Sequence, residues 1–414
     1  MKWIPLVALA VLPAADAAAQ AADADARACF ADAAAPRQIV AACTKVLESG
    51  GLPATETARA HDQRGRMLAR MGDGDAALED FNAAIALAPD LPWSYLLRGN
   101  YHRGRNRIDL ADADYSHVIA LDPSYAAAYY NRAMNRFDQE DYAEAIADFT
   151  RAIAVKPDYA EAYNNRGRAH FAEGRYARAR DDHLAALRFA PDDPLAYNNA
   201  GTAYRKLDEY GRALIAFDAA LRLAPNLLVA RYNRALALAE AGRHEQALPA
   251  FDHALALAPE HFESRRWRAY VLLYLGRYAE AAEGLTRILA QQPADNYLAL
   301  WTHIARRLAG EDADAAALAR DLTAVPPASW PAPANLLFLG KIDPEELIRR
   351  ARGRDPEIER DRLCEAFGFA GAHSLIAGRR EEAAMYFRKA AEIRRPSFIG
   401  FIFANAELKR MGEK

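Results

Sequence analysis

Asparagine recurs at one register of this 414-residue chain, at Asn131, Asn165, Asn199 and Asn233, each 34 residues after the last. The residues just before them are Tyr130, Asn164, Asn198 and Tyr232. A carboxamide donates and accepts at once, so a column of them can hold an extended peptide backbone without reading its side chains. Hydrogen bonds inside the fold would satisfy the same groups equally well, and the sequence leaves both readings open. Arg168 and Arg205 stand near this register and would add charge-assisted contacts to a ligand carboxylate. Arg234 is either a free ligand contact or is paired with Asp252 or a neighbouring segment. All of this chemistry is recognition. The ten histidines are scattered, no His/Cys/Asp/Glu cluster has metal-ligand spacing, and there is no glycine-rich phosphate loop or nucleophile elbow. Neither a cofactor nor catalysis is expected.

The elements that must position these residues are set by proline. Pro89, Pro123, Pro157, Pro191, Pro225, Pro259 and Pro293 lie 34 apart, a period that signals helix–turn–helix units stacked as a solenoid. With the proline at position 32, seven units run 58–91, 92–125, 126–159, 160–193, 194–227, 228–261 and 262–295. Position 20 is alanine in all seven and position 8 is only glycine or alanine. Position 24 is aromatic in five units (Phe81, Tyr115, Phe149, Phe217, Phe251), with His183 and Leu285 as exceptions. Small residues let the two helices of a unit approach, and the ring fills what is left. Glycine at position 15 (Gly72, Gly174, Gly242, Gly276) suits a turn at positive φ. Arginine at position 7 and aspartate at position 23 occur together in the first four units and are lost together in the fifth, as Ala200 and Ala216. That joint behaviour predicts an ion pair within the unit.

The small, aromatic, glycine and proline positions together resemble the tetratricopeptide repeat over residues 58–295. The resemblance implies an all-α fold: a right-handed tetratricopeptide-repeat solenoid of helix–turn–helix units with a helical C-terminal extension. Its first helices would line a concave face that holds other proteins or peptides.

Charge is nearly balanced, with 53 Lys+Arg against 56 Asp+Glu, so neither nucleic acid nor an anionic membrane surface is an expected partner. The start, Met1-Lys2 followed by an apolar run from Trp3 to Leu12 and by Ala17-Ala18-Ala19, reads as a signal peptide over residues 1–19. The run is too short to span a bilayer, so no integral membrane segment is expected. The expected location is the periplasm. Residues 20–57 read as a leader and an N-terminal capping helix. Within it Cys29 and Cys43 are separated by Pro36, which allows the chain to fold back on a helix over 37–49. In an oxidising compartment a disulfide is expected; two buried thiols are the alternative. Cys29 lacks a preceding apolar run, so an outer-membrane lipid anchor is not expected.

Residues 296–363 read as a helical linker region, with short helices near 334–340 and 343–353. Residues 364–414 read as a degenerate eighth repeat (Gly371, Ala383, Phe387 and Ala390 at positions 8, 20, 24 and 27) and a capping helix with a polar outer face. Cys364 reads as a small buried hydrophobe. Five stretches carry a second likeness: Tyr297 to Trp301, Trp330 to Pro333, Phe338 to Ile342, Cys364 to Phe367, and Ala406 to Leu408. In order and spacing they resemble the C-terminal part of the NlpI-like family of bacterial envelope proteins. That resemblance implies an envelope adaptor, often a homodimer, that presents peptidoglycan hydrolases or other clients to partner enzymes. The competing reading is a structural periplasmic scaffold acting through self-association.

Overall fold

The computed structural model describes residues 24–31, 35–311, 318–319, 322, 330–395 and 398–413. The signal peptide read at 1–19 lies outside them. Among the described residues the regular structure is helical, without strands. Two compact units divide the chain after Phe189.

The first unit holds four repeats. Their first helices are Ala54–Met71, Pro92–Gly104, Ala126–Asp138 and Ala160–Ala172, each followed by a second helix: Gly74–Leu87, Ile108–Leu121, Tyr142–Val155 and Tyr176–Phe189. The alanines of position 20 (Ala77, Ala111, Ala145, Ala179) are fully enclosed, which is how the paired helices come so close. Position 24 needs room in return: a Cβ on Gly99 would lie 2.7 Å from Tyr115 Cε1, so only glycine fits there. In the fourth repeat His183 takes the ring's place. It is 1% exposed and its Nδ1 lies 2.8 Å from Asn164 Oδ1. Burial pushes its pKa down to about 3, so it packs as a neutral ring.

Ahead of the repeats, helix Pro36–Ser49 opens on the proline read as a break, the one helical position where its missing N–H costs nothing. Residues 24–29 form a short helical stretch. Cys29 and Cys43 are joined as a disulfide, and both are enclosed beside Ile39, Val46 and Met67.

The second unit continues with first helices Pro194–Lys206, Leu228–Glu240 and Phe262–Tyr274 and second helices Tyr210–Leu223, His244–Leu257 and Tyr278–Leu289. Beyond them come helices Asn296–Leu308, Ala332–Phe338, Pro344–Ala351, Pro356–Ile376, Arg380–Ile393 and Ile399–Met411. One connected apolar core runs from Ala213 to Leu408. Helix Asn296–Leu308, in the stretch read as a linker, lies deep in it, with Leu298, Leu300, Trp301 and Ile304 fully enclosed. The last helix does more than close an end with a polar face. Ile402, Phe403, Ala404, Ala406 and Leu408 are buried along it, so it folds back on the repeat at 262–295. Phe403 packs edge-on to Trp301 at 5.4 Å, Tyr278 donates to Glu407 and Arg410 donates to the Tyr274 carbonyl.

Candidate functional site

The first helices of successive repeats place the asparagine register on one face within each unit. In the first unit Tyr130, Asn165 and Arg168 form a connected network. The Asn165 amide donates to the Tyr130 hydroxyl (2.9 Å) and Arg168 donates to Asn165 Oδ1 (2.8 Å). Arg168 also lies over the Phe137 ring at 4.7 Å. Tyr130 packs on Phe149 and Tyr159, and burial raises its pKa. Asn131 donates to Asn100 Oδ1 (2.8 Å), and Asn164 serves His183. In the second unit the Asn233 amide donates to Asn198 Oδ1 (3.0 Å), Asn198 reaches Asn199 (3.4 Å), and Tyr232 packs between Phe251 and His261. Asn165, Asn198 and Asn233 are buried. Several rungs of the register thus link one first helix to the next.

The arginines read as ligand contacts divide. Arg168 remains exposed. Arg205 is buried against Glu240 of the next repeat, its Nη1 at 2.7 and 2.9 Å from the two carboxylate oxygens. Burial raises the Glu240 pKa and Arg205 opposes that shift. Of the two readings for Arg234, the structure has a pairing with a neighbouring repeat, through Asp218 at 2.7 Å. The position-7 arginines of the first unit meet their aspartates as read: Arg64 with Asp80, Arg98 with Asp114, Arg132 with Asp148 and Arg166 with Asp182, each through two N–H groups at 2.7–3.0 Å.

Sequence reasoning missed a second part of this face. Between helices Ala54–Met71 and Pro92–Gly104 lies a pocket of about 390 Å³ with Arg66, Arg70 and Arg105 around apolar walls of Ala69, Phe81 and Leu97. Among the described residues no carboxylate lines it. Arg66 donates to Gln63 Oε1 (2.6 Å), and its Nε is buried without a partner. Arg105 rests over the Tyr101 ring at 5.6 Å. Among the described residues none of the three has an ion pair. The available signal was Arg66 and Arg70 at i, i+4, a like-charge spacing that weakens a helix.

In the second unit, Glu365 gathers residues that sequence placed in separate stretches. It accepts from Tyr297 Oη and Trp330 Nε1, each at 2.5 Å, and is 7% exposed. Burial raises its pKa against the pull of both hydrogen bonds. Neighbouring Cys364 is enclosed and its pKa is pushed up to about 12 by burial, so it is a packing thiol.

Among the described residues no group of three or more His, Cys, Asp or Glu could hold a metal ion. No described helix is long and apolar enough to cross a membrane.

Family models described as tetratricopeptide repeat match residues 58–91, 130–194, 194–227 and 232–296. No curated protein matches by sequence. Among solved structures, YrrB, titled a TPR protein with an unusual peptide-binding site, aligns at TM-score 0.42 and 24% identity, over 45% of this chain and 96% of that one. The pilF protein of Pseudomonas aeruginosa aligns at 0.46 and 18%, over 52% and 98%. The C-terminal part of a repeat protein from Cytophaga hutchinsonii aligns at 0.47 and 21%, over 56% and 96%. The repeats of this chain are tetratricopeptide repeats, and its fold is the all-α tetratricopeptide solenoid, a protein-interaction scaffold.

Proposed function

We propose that the protein is a secreted, non-catalytic adaptor of the bacterial cell envelope that holds partner proteins or peptides on the face formed by its first helices. The observation that carries this reading is the pocket of Arg66, Arg70 and Arg105: cations without a carboxylate among the described residues, set in apolar walls on that face. Guanidinium groups left without a carboxylate inside a fold are available to one outside it. The envelope part rests on the charged and apolar start of the chain, on a disulfide suited to an oxidising compartment, and on the resemblance to the NlpI-like family that we read in the sequence alone between Tyr297 and Leu408. Peptidoglycan hydrolases are the client class that this likeness suggests.

The test is crosslinking in cells followed by identification of captured proteins, with the full chain and with an Arg66→Glu/Arg70→Glu variant. Defined envelope proteins captured by the first and lost from the second would support the adaptor. Capture of further copies of this chain alone would replace it with a self-associating scaffold. Intact mass of the recovered protein should lack about the first 19 residues, as signal-peptide processing requires; a full-length dominant species would overturn secretion.

A further inference from the structure

We propose that the groove between helices Ala54–Met71 and Pro92–Gly104 reads an extended partner peptide with an aromatic or large apolar side chain at one end and acidic side chains at the other. This rests on the adaptor reading and names what that face would recognise.

Two pockets share these helices. Arg59, Gln63, Arg66 and Arg70 stand at i, i+4, i+7 and i+11 on the first, and so form one stripe. Trp93, Leu97, Asn100 and Tyr101 face them from the second. At the N-terminal end of the stripe, Phe30, Leu91 and Trp93 line an apolar pocket with Arg59 and Gln63. Phe30 and Trp93 are 39% and 40% exposed, a large uncovered apolar surface for two aromatic rings. The Cys29–Cys43 bridge fixes Phe30 there. At the C-terminal end stand Arg66, Arg70 and Arg105, which among the described residues have no carboxylate partner. Gln63 belongs to the first pocket and accepts from Arg66 of the second (2.6 Å), so the two join side by side.

The middle of the groove offers a backbone contact. Asn100 Oδ1 accepts from both the Tyr115 hydroxyl and the Asn131 amide, each at 2.8 Å. That fixes the carboxamide and leaves its N–H groups as donors for a peptide carbonyl. The helical rise puts Trp93 and Arg105 about 18 Å apart, which an extended peptide covers in about five residues. Charge complementarity selects the occupant, because a neutral or basic peptide would leave three guanidinium groups uncompensated at its end.

The experiment pans short random peptides displayed on phage against the full chain, then measures the leading synthetic peptide by fluorescence anisotropy. Enrichment of an aromatic residue a few positions from two or more acidic ones is expected. Affinity should fall about tenfold or more in Arg66→Gln/Arg70→Gln and in Trp93→Ala, and likewise as salt rises from about 0.05 to 0.5 M. Reduction of the disulfide should weaken the aromatic end, so a peptide lacking its aromatic residue should be insensitive to it. Circular dichroism and melting of each variant separate lost binding from lost fold. Enrichment without acidic residues, or affinity indifferent to the arginine variant and to salt, overturns the inference. If no such peptide emerges while cellular capture still depends on Arg66 and Arg70, the inference fails and the adaptor reading stands. If capture ignores both arginines, both fail.

Discussion

Each position-7 arginine finds one aspartate, and which helix supplies it changes along the chain. In the first four repeats the carboxylate is position 23 of the same unit, while a further N–H of three of them reaches a neutral side chain on the preceding second helix: Asn82, Ser116 or Thr150. In the sixth and seventh repeats position 23 is Ala250 and Gly284, and the preceding helix supplies Asp218 and Asp252 instead. Comparison within a unit revealed the first pattern from sequence. For Arg234 the second pattern stood only as one of two readings, because there the partner moves to the unit before. The two kinds of pair should differ in energy. Asp148 is 2% exposed and held by Arg132 and Arg136, whereas Asp218 is 46% exposed. Asp148→Ala should cost about 3 kcal/mol by stranding two partly buried guanidinium groups, and Asp218→Ala less than about 1 kcal/mol; chemical denaturation of both variants measures this, and equal losses would refute it. A second residue makes stability depend on pH. Asp62 is 1% exposed and bonded by Ser94 Oγ at 2.6 Å. Burial, with Asp80 adding to it, raises the Asp62 pKa to about 7, against the opposing pull of Ser94 and His61. A folded pKa above the unfolded one means that the folded state holds the extra proton between roughly pH 4 and 7. This contribution is fully present below about pH 4 and is lost as pH rises through 7. Asp62→Asn should flatten that part of the stability curve, and an unchanged slope would rule Asp62 out as its source.

The turn between the two helices of a unit imposes its geometry whatever residue it receives. Position 15 has positive φ in all seven repeats, with glycine in four and Asn106, Glu140 and Asp208 at φ 58°, 63° and 60° in the others. Sequence marked the four glycines and could not mark the three replacements, since the constraint lies in the chain path. Glutamate is the least suited of the three, so Glu140→Gly should raise stability by about 0.5–1 kcal/mol, the left-handed strain relieved less the entropy that glycine loses. A drop in melting temperature would show that strain is not what Glu140 contributes. The C-terminal helices were harder to read because their contacts follow no period. Tyr297, Trp330 and Glu365 lie 68 and 35 residues apart in their pairings, and nothing in local pattern joins them. One carboxylate fastens helix Asn296–Leu308 and the start of the 330–338 segment to helix Pro356–Ile376. Glu365→Ala leaves two donors without an acceptor in the core and should cost about 2–5 kcal/mol. Glu365→Gln keeps one carbonyl acceptor and should cost clearly less. Equal losses would mean that the side chain acts by its volume.

At the scale of the molecule the two compact units bury apolar surface in different ways. The first is a series of small clusters, such as Ala77, Phe81 and Leu97, or Leu96, Ala111, Tyr115, Val118 and Ala128. The 34-residue period foreshadows this arrangement, because repeated alanines bring helices close while giving each unit little side chain to bury. The second gathers Trp301, Phe369, Phe387 and Phe403 into one continuous core, whose extent the aperiodic C-terminal sequence concealed. In repeat proteins stability is a sum of local terms, so local opening should follow these differences. Native-state hydrogen exchange should find the slowest amides in helices Asn296–Leu308 and Pro356–Ile376. The helices of 58–189 should open at lower free energy, and a protease should cut there first. The same property bears on recognition, since the arginine pocket and the aromatic pocket both lie in this more weakly cored unit. A peptide bound in the groove would then add protection to Ala54–Met71 and Pro92–Gly104 by binding only their closed form, and leave Asn296–Leu308 unchanged. Uniform exchange across both units would contradict the difference in cores. Protection by the peptide of the C-terminal helices, with none on the first two repeats, would move the binding site to the core around Glu365.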